Sequence, residues 1–187
     1  MKFSVYIALS VDGYIARVDG GVDWLDTYGK HDVEMGEDGD MGFTAFMDTV
    51  DCMVMGRGCM EAISGFDLAP EQWPYGDTRV IVLSKSLTEL PDNIRKHAEL
   101  YSGSLPQLVE MLRQDEHRRI YVDGGKTIQS FLNMKLITDM CLTRVPVILG
   151  AGIPLFGQTD QDIRLEKPEA RVFANELVQL RYDVSYE

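Results

Sequence analysis

The sequence predicts an α/β fold: a three-layer α/β/α sandwich around a mainly parallel central sheet, closed by an antiparallel C-terminal strand pair. Three observations predict it. Short apolar runs at 52–55, Arg79–Leu83 and 119–122 end abruptly in Gly, Ser or Asp, the pattern of strands buried on both faces. Helical spacing recurs between these runs. The last third of the chain holds two apolar or alternating segments with no helical pattern between them.

The elements follow in order. Phe3, Val5, Ile7 and Leu9 alternate with Lys2, Ser4, Tyr6 and Ala8, the period of a strand. Asp12-Gly13 marks a turn before a short return through Tyr14, Ile15 and Ala16. Residues 19–42 are rich in glycine and acids, including Asp19, Asp23, Asp26, Asp32, Glu34, Glu37, Asp38 and Asp40. That composition predicts a long mobile surface loop, anchored by Val22, Trp24 and Leu25. Phe43, Phe46, Met47 and Val50 are spaced as one face of a short helix. The strand at 52–55 stops at Gly56-Arg57-Gly58, and Cys59 to Ile63 continues as helix. Arg79–Leu83 ends in Ser84-Lys85-Ser86. Ser104 and Gln107 form a capping box ahead of Leu105, Leu108, Met111 and Leu112. After the run at 119–122, Asp123-Gly124-Gly125 opens a helix carrying Ile128, Phe131 and Leu132. A segment at 140–149, broken by Pro146, is expected to pair antiparallel with 177–187, where Val178, Leu180, Tyr182, Val184 and Tyr186 share a face and Gln179, Arg181, Asp183 and Ser185 the other.

Length and charge restrict the functions available. The chain has 187 residues and 21.1 kDa, the size of one domain spanning 1–187. Its net charge is −12, which disfavours nucleic acid and anionic membrane surfaces as partners. No apolar run reaches the ~20 residues that span a bilayer, and residues 1–9 lack a basic n-region and a cleavage site, so a cytoplasmic protein is expected. Three cysteines without a CxxC spacing argue against a disulfide framework or a zinc site, and no metal is expected. His31, His97 and His117 lie far apart in polar surroundings. An enzyme built from this chain would draw its hard chemistry from an organic cofactor.

Two junctions share one design. Met55-Gly56-Arg57-Gly58 and Val122-Asp123-Gly124-Gly125-Lys126-Thr127 each end a buried strand in glycine and begin a helix. Glycine admits close backbone approach, and a helix start offers unpaired N–H groups to an anion. A pyrophosphate could be held there, with Arg57 and Lys85 adding charge at a terminal phosphate. A GxGxxG fingerprint is absent, because Gly150-Ala151-Gly152 runs into Ile153-Pro154-Leu155, so an ordinary Rossmann domain is disfavoured.

The ordered set Ala8 to Ala16, Met55-Gly56-Arg57, Val82-Leu83-Ser84, Val122-Asp123-Gly124-Gly125 and Leu142-Thr143-Arg144 resembles the dihydrofolate-reductase fold. The stretch from Pro146 to Phe156 is more similar to the reductase domain of the bacterial riboflavin-biosynthesis deaminase-reductase and its stand-alone relatives. The resemblance covers nearly the whole chain. It implies NADPH as cofactor, with Ala8 and Ile15 lining the nicotinamide pocket. Gly56, Arg57 and Gly58 would contact the cofactor phosphates, Leu83, Ser84 and Lys85 would flank the adenosine, and Gly124, Gly125, Lys126 and Thr127 would wrap the pyrophosphate. It also implies a homodimer, with 140–149 and the last strand as surface to bury.

Two departures stand out. The family usually has Thr where this chain has Cys59, a weaker hydrogen-bond partner. No Asp-Asn-Pro segment precedes an Arg after the second strand, which leaves a ribosyl-phosphate substrate without support. Folate reductases carry a carboxylate on the helix before the Met-Gly-Arg strand, and Asp40 and Asp48 are the candidates for that proton-supplying role. Asp12 competes but suits a turn, and ordered water is a further source. Trp24 either covers the nicotinamide side or pins the loop to the core. The expected activity is NADPH-dependent hydride transfer to a pyrimidine- or pteridine-like heterocycle, similar to 5-amino-6-(5-phosphoribosylamino)uracil reductase. Alternatives are dihydrofolate reductase activity, a non-catalytic nucleotide-binding module, or a structural oligomerisation domain.

Overall fold

The computed structural model describes residues 1–186. Its core is an eight-stranded sheet made of β1 (Lys2–Ser10), β3 (Cys52–Gly56), β4 (Arg79–Leu83), β5 (Glu99–Tyr101), β6 (Arg119–Asp123), β7 (Ile137–Val145), β9 (Arg164–Val172) and β10 (Val178–Ser185). The spatial order is β5-β4-β3-β6-β1-β7-β10-β9. All pairs from β5 to β7 are parallel, and β7–β10 and β10–β9 are antiparallel. A separate two-stranded ladder joins β2 (Tyr14–Ala16) to β8 (Ile153–Pro154). Among the described residues no helix is long and apolar enough to cross a membrane.

Period-2 alternation sorts the strand residues between two cores. Phe3, Val5, Leu9, Cys52, Val54, Ile81, Ile120 and Val122 face one side, beneath α3 (Leu105–Gln114) and α4 (Gly125–Asn133). Tyr6, Met53, Met55, Val80, Val82 and Tyr121 face the other, beneath α1 (Phe43–Met47) and α2 (Arg57–Gly65). Both faces are covered, which is why the strands read as continuous apolar runs. Right-handed crossover explains the division of helices. Connections stepping toward β5 (β1 to β3 through α1, β3 to β4 through α2) cross one face. Those stepping toward β9 (β5 to β6 through α3, β6 to β7 through α4) cross the other.

The capping box at α3 is present: Gln107 N donates to Ser104 Oγ at 3.4 Å and Ser104 N to Gln107 Oε1 at 3.2 Å. Other readings need correction. β7 stops at Val145 because Pro146 has no N–H for the ladder, and β10 pairs with it as expected (Leu180 opposite Leu142). The connection through 153–176 contains a nine-residue edge strand, β9, that its charges and Pro168 disguise. On the polar face of β10, Gln179 is 3% exposed while its neighbour Arg181 is exposed.

The stretch at 19–42 is tied down rather than free. Two short 3₁₀ turns, Asp23–Leu25 and Gly36–Asp38, interrupt it. Trp24 is fully buried with Val145, Phe173 and Leu177, and Leu25, Met35 and Met41 pack against the same cluster. Lys30 N donates to Asn175 O at 3.0 Å. Tyr6 Oη and Gln179 Nε2 both donate to the Met41 carbonyl, at 2.7 and 3.1 Å. Val22 takes no part in that cluster, whereas the two methionines do.

Candidate functional site

β3 and β6 are neighbours, yet their connections leave to opposite faces of the sheet. That reversal creates a crevice at the carboxyl ends of the strands, where open α/β sheets collect ligands. Both predicted junctions lie there. The register sets Met55 opposite Asp123, so Gly56 and Gly124 follow side by side. α2 and α4 each begin at a glycine N-cap with no side-chain capping bond, leaving first-turn amides without side-chain partners. Arg57, Gly58 and Lys126 are exposed along this edge, and the space beside Gly58 is open.

β4 ends level with β3, Leu83 opposite Gly56. Ser84 Oγ accepts from Leu87 N at 3.1 Å, which shapes the turn that carries exposed Lys85. Arg57 reaches across to this turn, its Nη1 donating to Ser86 Oγ at 3.2 Å. Three strand ends therefore present Arg57, Lys85 and Lys126 along one edge.

On the other side of β6 the sheet splits. The β1–β6 ladder stops at Ser4–Tyr121, while β1 continues to Ser10 paired with β7 alone. Tyr121 Oη donates to the Tyr6 carbonyl at 2.7 Å, replacing a lost ladder bond. Ala8 lies on the free stretch of β1, half-buried, and Ile15 covers the start of α4.

The glycines also meet close packing neighbours. Gly124 and Gly125 are buried and serve close packing. A Cβ on Gly124, whose φ is +92°, would lie 2.5 Å from Cys59 Sγ. One on Gly125 would lie 2.6 Å from the Pro154 carbonyl oxygen and 3.3 Å from Ile15 Cδ1. Thr127 is also buried, and a Cβ on Gly56 would lie 2.7 Å from its Oγ1. Of the second junction, Lys126 is the residue that faces solvent.

The carboxylates and the indole chosen from sequence are placed elsewhere. Asp40 is exposed and caps α1, accepting from Gly42 N and Thr44 N at 2.8 Å each. The Thr44 bonds, followed by that from Gly42, hold its carboxyl below the usual range, opposite to what a proton donor needs. Asp48 is the exposed C-cap of the same helix. Asp12 accepts from Ser10 Oγ, Leu149 N and Gly150 N, fastening the turn after β1 to the 147–150 segment. Trp24 pins its loop, and its buried indole N–H has no partner among the described residues.

The carboxylate that sequence reasoning passed over is Asp123. It ends β6, half-buried on the face of Tyr121 and α2, beside the split. Burial pushes its pKa up to about 6, against smaller lowering by the Gly124 N–H and the Cys59 thiol. An acid closing an otherwise apolar strand was the available signal; Asp-Gly-Gly read as turn chemistry concealed it.

Two cavities lie away from this edge. One of about 440 Å³ is bounded by α1, β6, β7 and β10 (Phe46, Arg119, Cys141, Arg181). The other, about 380 Å³, lies between α4 and the segment leading into β9 (Gln129, Leu132, Phe156, Leu165). Neither touches the glycine junctions.

A family model for the RibD C-terminal domain matches residues 2–179. The chain belongs to that family. It is 31% identical over 183 residues to the uncharacterized Bacillus subtilis protein YwjB, covering 97% of both. It superposes on the crystal structure of a provisionally named riboflavin biosynthesis protein from Shewanella sp. PV-4 with a TM-score of 0.86 and 36% identity, over 100% of both chains. Dihydrofolate reductase from Enterococcus faecalis, complexed with NADP(H), aligns over 99% of this chain and 97% of its own with a TM-score of 0.63 and 13% identity, a likeness of fold alone. The fold is thus dihydrofolate-reductase-like, with a mainly parallel sheet and antiparallel C-terminal strands.

Proposed function

We propose that this protein is an NADPH-dependent reductase of small heterocyclic substrates of the pyrimidine or pteridine class. One observation carries the reading: two uncapped helix starts meet at the switch point of the sheet, with three cations presented along the same edge.

The residues fit the cofactor. The first-turn amides of α2 and α4, with Arg57 and Lys126, would hold its phosphates. Leu83, Ser84 and Lys85 would border the adenosine, with Arg57 or Lys85 near the 2′-phosphate. Ala8 and Ile15, at the split between β1 and β6, would border the nicotinamide. Bound there, the cofactor supplies a hydride. The protein's part is to position, to exclude water and to supply a proton where charge develops. Asp123 suits the last task, because burial keeps a usable fraction of its carboxyl protonated near neutral pH. Asp40, ionised in its cap, does not.

Thermal unfolding with NADPH, NADH or buffer tests the binding half of this reading. A ligand that binds only the folded state raises the midpoint, so NADPH should raise it more than NADH. Absorbance at the reduced nicotinamide band, with a panel of oxidised pyrimidines and pteridines, tests the chemical half. Stabilisation by NADPH with no turnover on any substrate would favour a non-catalytic nucleotide-binding module. No stabilisation would remove the cofactor assignment.

A further inference from the structure

β7, β9 and β10 follow one another without a crossover helix, so on the α1 side no helix covers that part of the sheet. The cleft of about 440 Å³ is the step from α1 down to those strands. Tyr6, Cys141 and Arg181 stand in register across it on β1, β7 and β10, and Gly42, Ala45 and Phe46 line its α1 side. Two of its cations are already paired with carboxylates. Arg119 donates to Asp139 Oδ2 at 2.7 Å, and Lys167 Nζ lies 2.6 Å from Asp183 Oδ2. Arg181 is held differently. Its Nε and Nη2 both donate to Gln179 Oε1, at 3.3 and 3.2 Å. Gln179 is itself buried, its Nε2 donating to Tyr6 Oη, Thr143 Oγ1 and the Met41 carbonyl. Nη2 also lies close over Gly42, where a Cβ would come within 3.3 Å of it. The guanidinium is thus aimed by a neutral amide, and among the described residues no carboxylate pairs with it. Glu169, opposite it in the β9–β10 register, forms no ion pair with it.

A cation already paired must give up its partner to take an anion, whereas one oriented by a neutral amide need not. A guanidinium presents its N–H donors in a rigid plane, and Gln179 takes only part of that fork. The remainder, charged and fixed in direction, suits the paired oxygens of a carboxylate or phosphate. We propose that this cleft is a second ligand site, which takes a small molecule by a carboxylate or phosphate group on Arg181. The ring of Phe46 and the methyl group of Ala45 give the body of such a molecule an apolar wall. Exposed Lys2, also at the cleft, adds to the attraction for an anion. The volume lies within the roughly 300–1,000 Å³ of small-molecule sites. Because the cleft does not touch the glycine junctions, the proposal stands apart from the dinucleotide reading.

The test titrates benzoate, and separately inorganic phosphate, into ¹⁵N-labelled protein at constant ionic strength, with chloride as the control. Amide shifts at 42–49 and 179–183 should saturate for at least one probe, with a Kd of about 1 mM or tighter. The probe that binds more tightly identifies the ligand's group as carboxylate or phosphate. Arg181→Met removes the charge from an exposed side chain and should weaken binding at least about tenfold. Ala45→Trp, which fills the cleft and leaves Arg181 in place, should also weaken it. Absence of saturating shifts at these amides with either probe would overturn the proposal, and so would Arg181→Met binding as tightly as the wild type. Should Arg181→Met fail to fold, Ala45→Trp decides alone, since position 45 is exposed, and unchanged affinity there would overturn the proposal.

Discussion

Asp123 shows how far a single side chain can depart from its ordinary behaviour when three apolar strand residues carry it into the protein. Its carboxyl holds a proton more tightly in the folded state, about 6 against 3.8, because burial penalises the charge. Between those values the native state binds more protons than the unfolded chain, so stability falls as pH rises through that window. The penalty at pH 7 is on the order of 2–3 kcal/mol before relaxation. Asp123→Asn should therefore raise the denaturation free energy above pH 6 and flatten its decline between pH 4 and 6, as chemical denaturation across pH would record. The same change should lower turnover by about 10²- to 10⁴-fold while leaving NADPH affinity close to wild type. Increased stability with undiminished turnover would show that Asp123 is a cost without a catalytic return.

At the scale of elements, close backbone approach accounts for glycine at position 125. A methyl group at position 125 would press on the Pro154 carbonyl, which is backbone and cannot swing away. Gly125→Ala should cost about 1–3 kcal/mol in urea denaturation by forcing α4 from the β2–β8 ladder. The stretch at 19–42 is held by equally specific bonds. Tyr6→Phe removes the 2.7 Å bond to the Met41 carbonyl and leaves Gln179 as that carbonyl's partner. A loss of about 1 kcal/mol and faster proteolytic cleavage within 19–42 are expected. Much of this scale was legible in the sequence. Apolar strand runs, the Ser104 capping box and the face of α4 are local signals with local causes. β9 was not legible, since an edge strand protected by charge and proline has no apolar pattern to read. Nor was the burial of Gln179, because its partners come from residues 138 and 173 positions away.

For the whole molecule, one rule of handedness does most of the positioning. Every step toward β5 crosses one face and every parallel step toward β9 crosses the other, so the reversal must fall beside β6. That is where the glycine junctions, Asp123 and the split from β1 all occur. The net charge of −12 makes the local arrangement more telling, because exposed cations gather at these strand ends against the sign of the whole chain. Ser84 and Gly58, far apart in sequence, follow the carboxyl ends of the adjacent strands β4 and β3 for the same topological reason. The rings of Tyr6 and Tyr121 pack against Phe43 and Phe46 of α1.

Calorimetric titration of NADPH and NADH into the wild type and into an Arg57→Ala, Lys126→Ala double variant reports on this crevice most directly, since both side chains are exposed and neither supports the core. Wild-type protein should bind NADPH at least about tenfold more tightly than NADH. The double variant should lose that preference and weaken about a hundredfold for NADPH, with its unfolding midpoint nearly unchanged. Absence of saturable NADPH binding by the wild type, or equal NADPH affinity in both proteins, would contradict a dinucleotide held at the meeting of β3 and β6.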